Sequence, residues 1–141
     1  MIKVKIYAVG KTKEVWLDQA TTEYQKRLSK TLQIEWVIVK DDKALESSLV
    51  KEKSYICFDK EGREFSSIEL SNFLDQEGVK RGARLTFVIG GPEGIPSAIC
   101  LRASHLLSLS KLTYTHQIVR LILMEQLYRS TQIQKGTKYH K

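Results

Sequence analysis

Phe87-Val88-Ile89-Gly90-Gly91-Pro92-Glu93-Gly94-Ile95 runs from a buried-strand pattern straight into glycines. The apolar residues up to Ile89 predict a strand covered on both faces. Gly90 and Gly91 remove side chains where a backbone or a ligand comes close. Pro92-Glu93-Gly94 predicts a tight turn, and Ile95-Pro96 leads into a helix. In an open α/β sheet, small ligands bind at the carboxyl ends of central strands. A second segment, Leu109-Ser110-Lys111-Leu112-Thr113-Tyr114-Thr115-His116, also follows a short apolar run and precedes a long helix. The two segments together are the candidate binding loops.

Outward from this point, strand and helix patterns alternate. Strands are expected at 2–9, 34–39, 55–58, 84–89 and 106–109, with a turn at Asp59-Lys60-Glu61-Gly62. Helices are expected at 14–28, 43–53, 66–80, 98–103 and 117–133. Leu17, Ala20, Tyr24 and Leu28 stand at helical spacing. Ser66-Ser67-Ile68-Glu69 reads as a capping box, with Phe65 and Leu70 forming a staple across it. The alternation argues for a single α/β domain over residues 1–141, with a mostly parallel sheet flanked by helices. The last helix carries Ile118, Val119, Leu121, Ile122, Leu123, Met124, Leu127 and Tyr128, apolar almost all round. Such a helix must be buried on several sides. In a chain of 141 residues one of those sides is expected to meet a second copy, giving a homodimer.

Composition narrows the class. A hydrophobic content of 42% supports a real core, and charged residues at 28% an ordinary soluble surface. No apolar run approaches the roughly 20 residues that span a bilayer. The opening Met1-Ile2-Lys3-Val4-Lys5-Ile6 alternates like a strand and is no signal peptide, so a cytoplasmic protein without a membrane partner is expected. The net charge of +7, from 23 Lys and Arg against 16 Asp and Glu, favours a polyanionic partner such as RNA. Lys135, Lys138 and Lys141 concentrate that excess at the end of the chain. Cys57 and Cys100 sit in apolar contexts and read as buried free thiols. His105, His116 and His140 are too scattered for a zinc pattern, and no metal is expected.

The glycine loop is neither a phosphate-binding P-loop nor G-x-G-x-x-G, since the pattern is Gly90-Gly91-x-x-Gly94. Taken alone, a structural turn accounts for it as well as a ligand does. The combination is more specific: Ile-Gly-Gly-Pro-Glu-Gly, Leu-Ser-Leu-Ser-Lys-Leu-Thr-Tyr-Thr-His-Gln, Val119-Arg120, Glu125-Gln126-Leu127-Tyr128-Arg129 and Tyr139-His140. With Ala8-Val9-Gly10-Lys11 and Glu23-Tyr24-x-x-Arg27-Leu28, this resembles the RlmH family of SPOUT-superfamily RNA methyltransferases over essentially the whole chain. The resemblance implies a SPOUT fold with a C-terminal trefoil knot, a homodimer, and methylation of N3 of a pseudouridine in large-subunit (23S) ribosomal RNA, on the assembled ribosome. It implies S-adenosyl-L-methionine as cofactor, held by Phe58, Gly90, Leu109, Ser110, Lys111, Leu112, Thr113 and Tyr114. Two departures stand out: Thr115 occupies a position where many members have proline, and the segment between Asp42 and Tyr55 is short.

Methylating a uracil-type N3 requires loss of the imide proton and in-line placement of the methyl carbon. His140 and His116 can accept protons near neutral pH. Arg129 and Arg120 can stabilise an imide anion or hold phosphate. Tyr139 can stack on a flipped base. The plainer readings are that His116 caps the last helix, that Arg120 pairs with Glu125 or faces solvent, and that Tyr139-His140 is a frayed end. At the level of function, the alternatives are a non-catalytic ribosome-binding factor of the same fold and a small nucleotide-binding enzyme acting on metabolites.

Overall fold

Alternation along the strands sorts the core onto two faces of one sheet. The computed structural model describes residues 1–141. The elements are β1 (Ile2–Val9), α1 (Val15–Leu28), β2 (Leu32–Val39), α2 (Asp42–Leu49), β3 (Ile56–Glu64), α3 (Ser67–Lys80), β4 (Arg84–Ile89), α4 (Ser97–Arg102), β5 (His105–Ser108) and α5 (His116–Lys135). All strand pairs are parallel, in the order β2-β1-β4-β3-β5. Val4, Ile6 and Ala8 of β1 and Leu85, Phe87 and Ile89 of β4 point to one face, where they pack with Leu28, Leu74, Leu123, Met124 and Leu127. Tyr7 and Val88 point to the other face and pack with Leu45, Leu49, Cys57 and Ile99. β4 is therefore buried from both sides, as its composition requires.

The local signals explain most of the boundaries. Ser66 caps α3 in a complete capping box with Glu69: the Glu69 amide donates to Ser66 Oγ at 3.1 Å, and the Ser66 amide donates to Glu69 Oε1 at 2.8 Å. Helix α2 begins earlier than expected because Asp41 accepts the Ala44 amide, and it ends at Leu49. The expected turn at Asp59–Gly62 is instead an irregularity inside a longer strand. Phe58 and Arg63 both pair with Leu107, so the intervening residues bulge out of the ladder. A β-carbon on Gly62 would lie 2.6 Å from the backbone of Leu106 and Leu107. Glycine there marks close passage against β5, which a turn motif in sequence does not distinguish. No helix is long and apolar enough to cross a membrane.

Candidate active site

The glycine loop closes on itself. The Gly94 amide donates to the Gly91 carbonyl at 3.0 Å, and Gly94 has φ +83°. A β-carbon on Gly90 would lie 2.6 Å from the Gly94 carbonyl carbon. The space beside Gly90 is thus taken by the loop's own backbone, the first of the two close approaches expected from the sequence.

β5, separated from β4 by β3, ends at the same carboxyl side of the sheet and releases the second segment. Ser108 Oγ donates to the Ser110 carbonyl (2.9 Å), and the Leu112 amide donates to Ser110 Oγ (2.7 Å). Residues 110–114 make no main-chain to main-chain hydrogen bond. Lys111, Leu112, Thr113 and Tyr114 are exposed. Beneath them, Phe58 stacks on Phe87 with centroids 5.7 Å apart. Phe58, Leu107, Leu109, Leu123 and Leu127 enclose an apolar cavity of about 10 Å³. Uncommitted peptide groups beside an apolar wall are what an adenine ring needs, so the residues fit a nucleoside cofactor. That cavity has room for about one water molecule, so an adenine lodged there must displace some of the side chains that line it.

The segment leads to the N-terminus of α5. Thr115 is the cap, its Oγ1 accepting from the Ile118 amide at 3.2 Å, so His116 is the first helical residue and not the cap. Thr115 has φ −64°, the angle proline imposes. Burial, then the nearby Arg120 and Lys13, holds the His116 imidazole below its ordinary range. Arg120 is fully buried, and its burial lowers its own pKa. Its Nη2 donates to the carbonyls of Val9 (2.9 Å) and Gly10 (2.7 Å), and its Nη1 to Thr12 Oγ1 (3.1 Å). It therefore neither faces solvent nor pairs with Glu125. It joins the last helix to the carboxyl end of β1.

Glu125, midway along α5, organises a separate cluster. Arg129 grips it with two donors, Nε to Oε1 (3.1 Å) and Nη2 to Oε2 (3.0 Å), and the Tyr139 hydroxyl donates to Oε2 at 2.9 Å. The Glu125 hydrogen bond raises the pKa of Arg129. Burial, then hydrogen bonding to Tyr24 and Glu125, raises that of the Tyr139 phenol. Tyr139 meets Tyr128 edge-on at 4.9 Å and lies under the Arg129 guanidinium. Arg129 Nη1 donates to His140 Nδ1 at 3.0 Å. A guanidinium has no acceptor, so Nδ1 accepts and the ring proton resides on Nε2. The tail is held in place and is not a frayed end.

Tyr24 and Arg27 belong to this neighbourhood, with Arg27 over both the Tyr24 and Tyr128 rings. Neither was singled out from sequence as a site residue. Their i, i+3 spacing on α1 was the available signal, but it equally describes a surface pair. Arg129, Tyr139 and His140 come together, as do Phe58 and Leu109. No hydrogen bond or ring contact joins the two groups within one chain, although Leu127 of the Phe58 wall stands two residues from Arg129 on α5.

The chain matches the model of the family described as "Predicted SPOUT methyltransferase" over residues 2–140. It is 50% identical over 141 residues to the "Ribosomal RNA large subunit methyltransferase H" of Protochlamydia amoebophila, covering 100% of both chains. It is 40% identical over 154 residues to the protein of that name from Caldicellulosiruptor saccharolyticus, covering 98% of this chain and 99% of the other. Among solved structures, a probable methylase family protein from Haemophilus influenzae aligns with TM-score 0.58 at 10% identity, over 98% of this chain and 70% of that one. A probable methyltransferase from Bordetella pertussis aligns with TM-score 0.57 at 8% identity, over 90% and 95%. Those two likenesses concern the fold.

Proposed function

Because the chain belongs to the SPOUT methyltransferases, and within them to the ribosomal RNA large subunit methyltransferase H group, we propose that it is an rRNA methyltransferase using S-adenosyl-L-methionine on N3 of a pseudouridine in large-subunit (23S) ribosomal RNA, on the assembled ribosome. One observation carries the reading. Residues 110–114, free of main-chain to main-chain hydrogen bonds, follow directly on Leu109 of the apolar wall at the carboxyl end of the sheet.

The cofactor supplies an electrophilic methyl group. Phe58 and Leu109 would flank its base, and the peptide groups of Lys111, Thr113 and Tyr114 would read the base edge. The tail acts on the RNA side. His140, with Arg129 on Nδ1, offers Nε2–H as a donor to a carbonyl oxygen flanking N3. The guanidinium behind it favours the imide anion left when the N3 proton departs to water. Tyr139, held edge-on by Tyr128, limits the approach of the base.

The lack of a contact between the two groups within one chain suits a homodimer in which one subunit's tail serves the other's cofactor segment. Transfer requires reacting atoms within about 3–3.5 Å. Val15, Trp16 and Leu112 are 73%, 55% and 72% exposed near the α5 N-terminus, and such surface suits a partner. The course from β5 at the sheet edge, past β3 and β4 to α5 beside β1, is consistent with the trefoil knot.

The test is transfer of radiolabelled methyl groups to ribosomes and to naked RNA in parallel. Label in a large-subunit pseudouridine, faster with ribosomes, is the expected result. Tight RNA binding without label transfer overturns the enzymatic reading in favour of a binding factor.

A further inference from the structure

The two faces of the sheet are covered unequally. Helices α1 and α3, of 14 residues each, and α5, of 20, span one face. The other has α2, of 8 residues, and α4, of 6. At 1.5 Å per residue these reach about 12 and 9 Å, against about 26 Å for the 8-residue β1. The short helices cover the carboxyl half, over Tyr7 and Val88. The amino-terminal half of this face is a trough of about 770 Å³, although parallel sheets are ordinarily buried on both faces.

Strand register fixes its floor. Lys3 pairs with Gln33 on one side and Arg84 on the other, and Lys5 with Glu35 and Thr86. Lys51 and Lys53 line it from the α2–β3 connection, and Lys80 and Arg81 from the end of α3. Seven lysines and arginines thus meet three glutamates, Glu35, Glu52 and Glu77. The acids are largely committed. Glu52 accepts from Lys5 (3.0 Å) and from the buried Tyr7 hydroxyl (2.6 Å). Glu77, 3% exposed, faces Lys80, Arg81 and His105. Lys3, Lys51, Lys53 and Arg84 have no acidic partner. Only 3 of the 16 lining residues are hydrophobic and none is aromatic. The trough therefore lacks the apolar slot of a small-molecule site and the rings on which bases stack. It presents point charges on flexible stems, suited to phosphates.

We propose that this trough is a second RNA-contact surface, taking backbone phosphates of the substrate RNA at a place remote from the modified base. It lies at the end of the sheet opposite the glycine loop and the 110–114 segment, so it anchors the RNA without touching the reacting atoms. The inference rests on the rRNA methyltransferase reading.

The test uses the full chain with Lys3→Glu and Arg84→Glu combined, and Lys51→Ala with Lys53→Ala as a second variant at exposed positions. The probe is bacterial ribosomal RNA, titrated from 50 to 200 mM salt. The charge-reversed protein should bind about tenfold more weakly at 100 mM. Its slope of log affinity against log salt should be smaller by about 1.4–1.8, for two phosphates. The KM for ribosomes should rise while kcat and cofactor affinity hold. Unchanged RNA affinity and slope in both folded variants overturns the trough. Polyglutamate displacing RNA from the wild type but not from the variants would assign the surface to an acidic protein and also overturn it. Failure of the underlying reading shows separately, as wild-type protein that transfers no methyl to RNA.

Discussion

Arg120 is a buried cation whose bonded partners are neutral oxygens: the carbonyls of Val9 and Gly10 and the hydroxyl of Thr12. Replacing it relieves the cost of burying a charge, but it strands two carbonyls at about 1–3 kcal/mol each. Arg120→Met should therefore destabilise by about 1–3 kcal/mol net, read from the urea midpoint. Arg120→Lys should recover little, because an ammonium lacks the planar fork. His116 sets a pH dependence. Its folded pKa lies below the unfolded value, near 6.5, so the unfolded chain takes up the proton first as pH falls. This stabilising contribution is complete above about pH 6.5 and is lost on acidification towards the lower folded pKa. A His116→Gln chain should lose less stability between pH 7 and 5 than the wild type; equal losses would remove His116 from the account.

At the scale of elements, two glycines hold neighbours at distances that no side chain permits. Gly62→Ala forces β3 from β5, and Gly90→Ala forces open the loop after β4, since each added carbon meets backbone at 2.6 Å. Each should cost about 1–3 kcal/mol, as overpacking does, seen as a lower urea midpoint. A neutral Gly90→Ala would mean that the loop relaxes freely. The cap of α5 behaves differently. Thr115→Ala should cost about 1 kcal/mol through the lost bond to Ile118. Thr115→Pro should fall closer to wild type, because φ is already −64° and the ring reduces the freedom of the unfolded chain. A φ of −64° accounts for threonine standing where the resemblance implies proline.

At the scale of the molecule, the proposed active site is one shared between two copies. Ile118, Leu121 and Ile122 remain only half-buried within one chain. Sedimentation at micromolar concentration should give twice the chain mass. Leu121→Glu with Ile122→Glu should give a folded monomer that no longer methylates ribosomes. Full activity from a clean monomer would mean that one chain brings its tail to its own cofactor segment.

The α/β class, nearly every element and the capping box of α3 were legible in the sequence because each depends on neighbours within a few residues. Period-two and period-3.6 patterns and the Ser66–Glu69 pair carry their physics locally. The glycine loop and the tail were also legible as places of interest, through motif and resemblance. What each residue does there was decided by contacts across the chain. Gly90 is required by Gly94's backbone, Gly62 by that of β5, and Arg120 by the carbonyls of β1, 110 residues away. The Asp59–Gly62 bulge has the composition of a turn and becomes a strand irregularity only because β5 lies beside it. The basic trough is hidden for the same reason. Lys3, Lys51 and Arg84 are scattered in sequence, and only strand register and short covering helices gather them. Sequence thus determined the elements, whose causes are short-range. Tertiary structure alone decided which polar groups meet, because that depends on distances set by packing the whole chain.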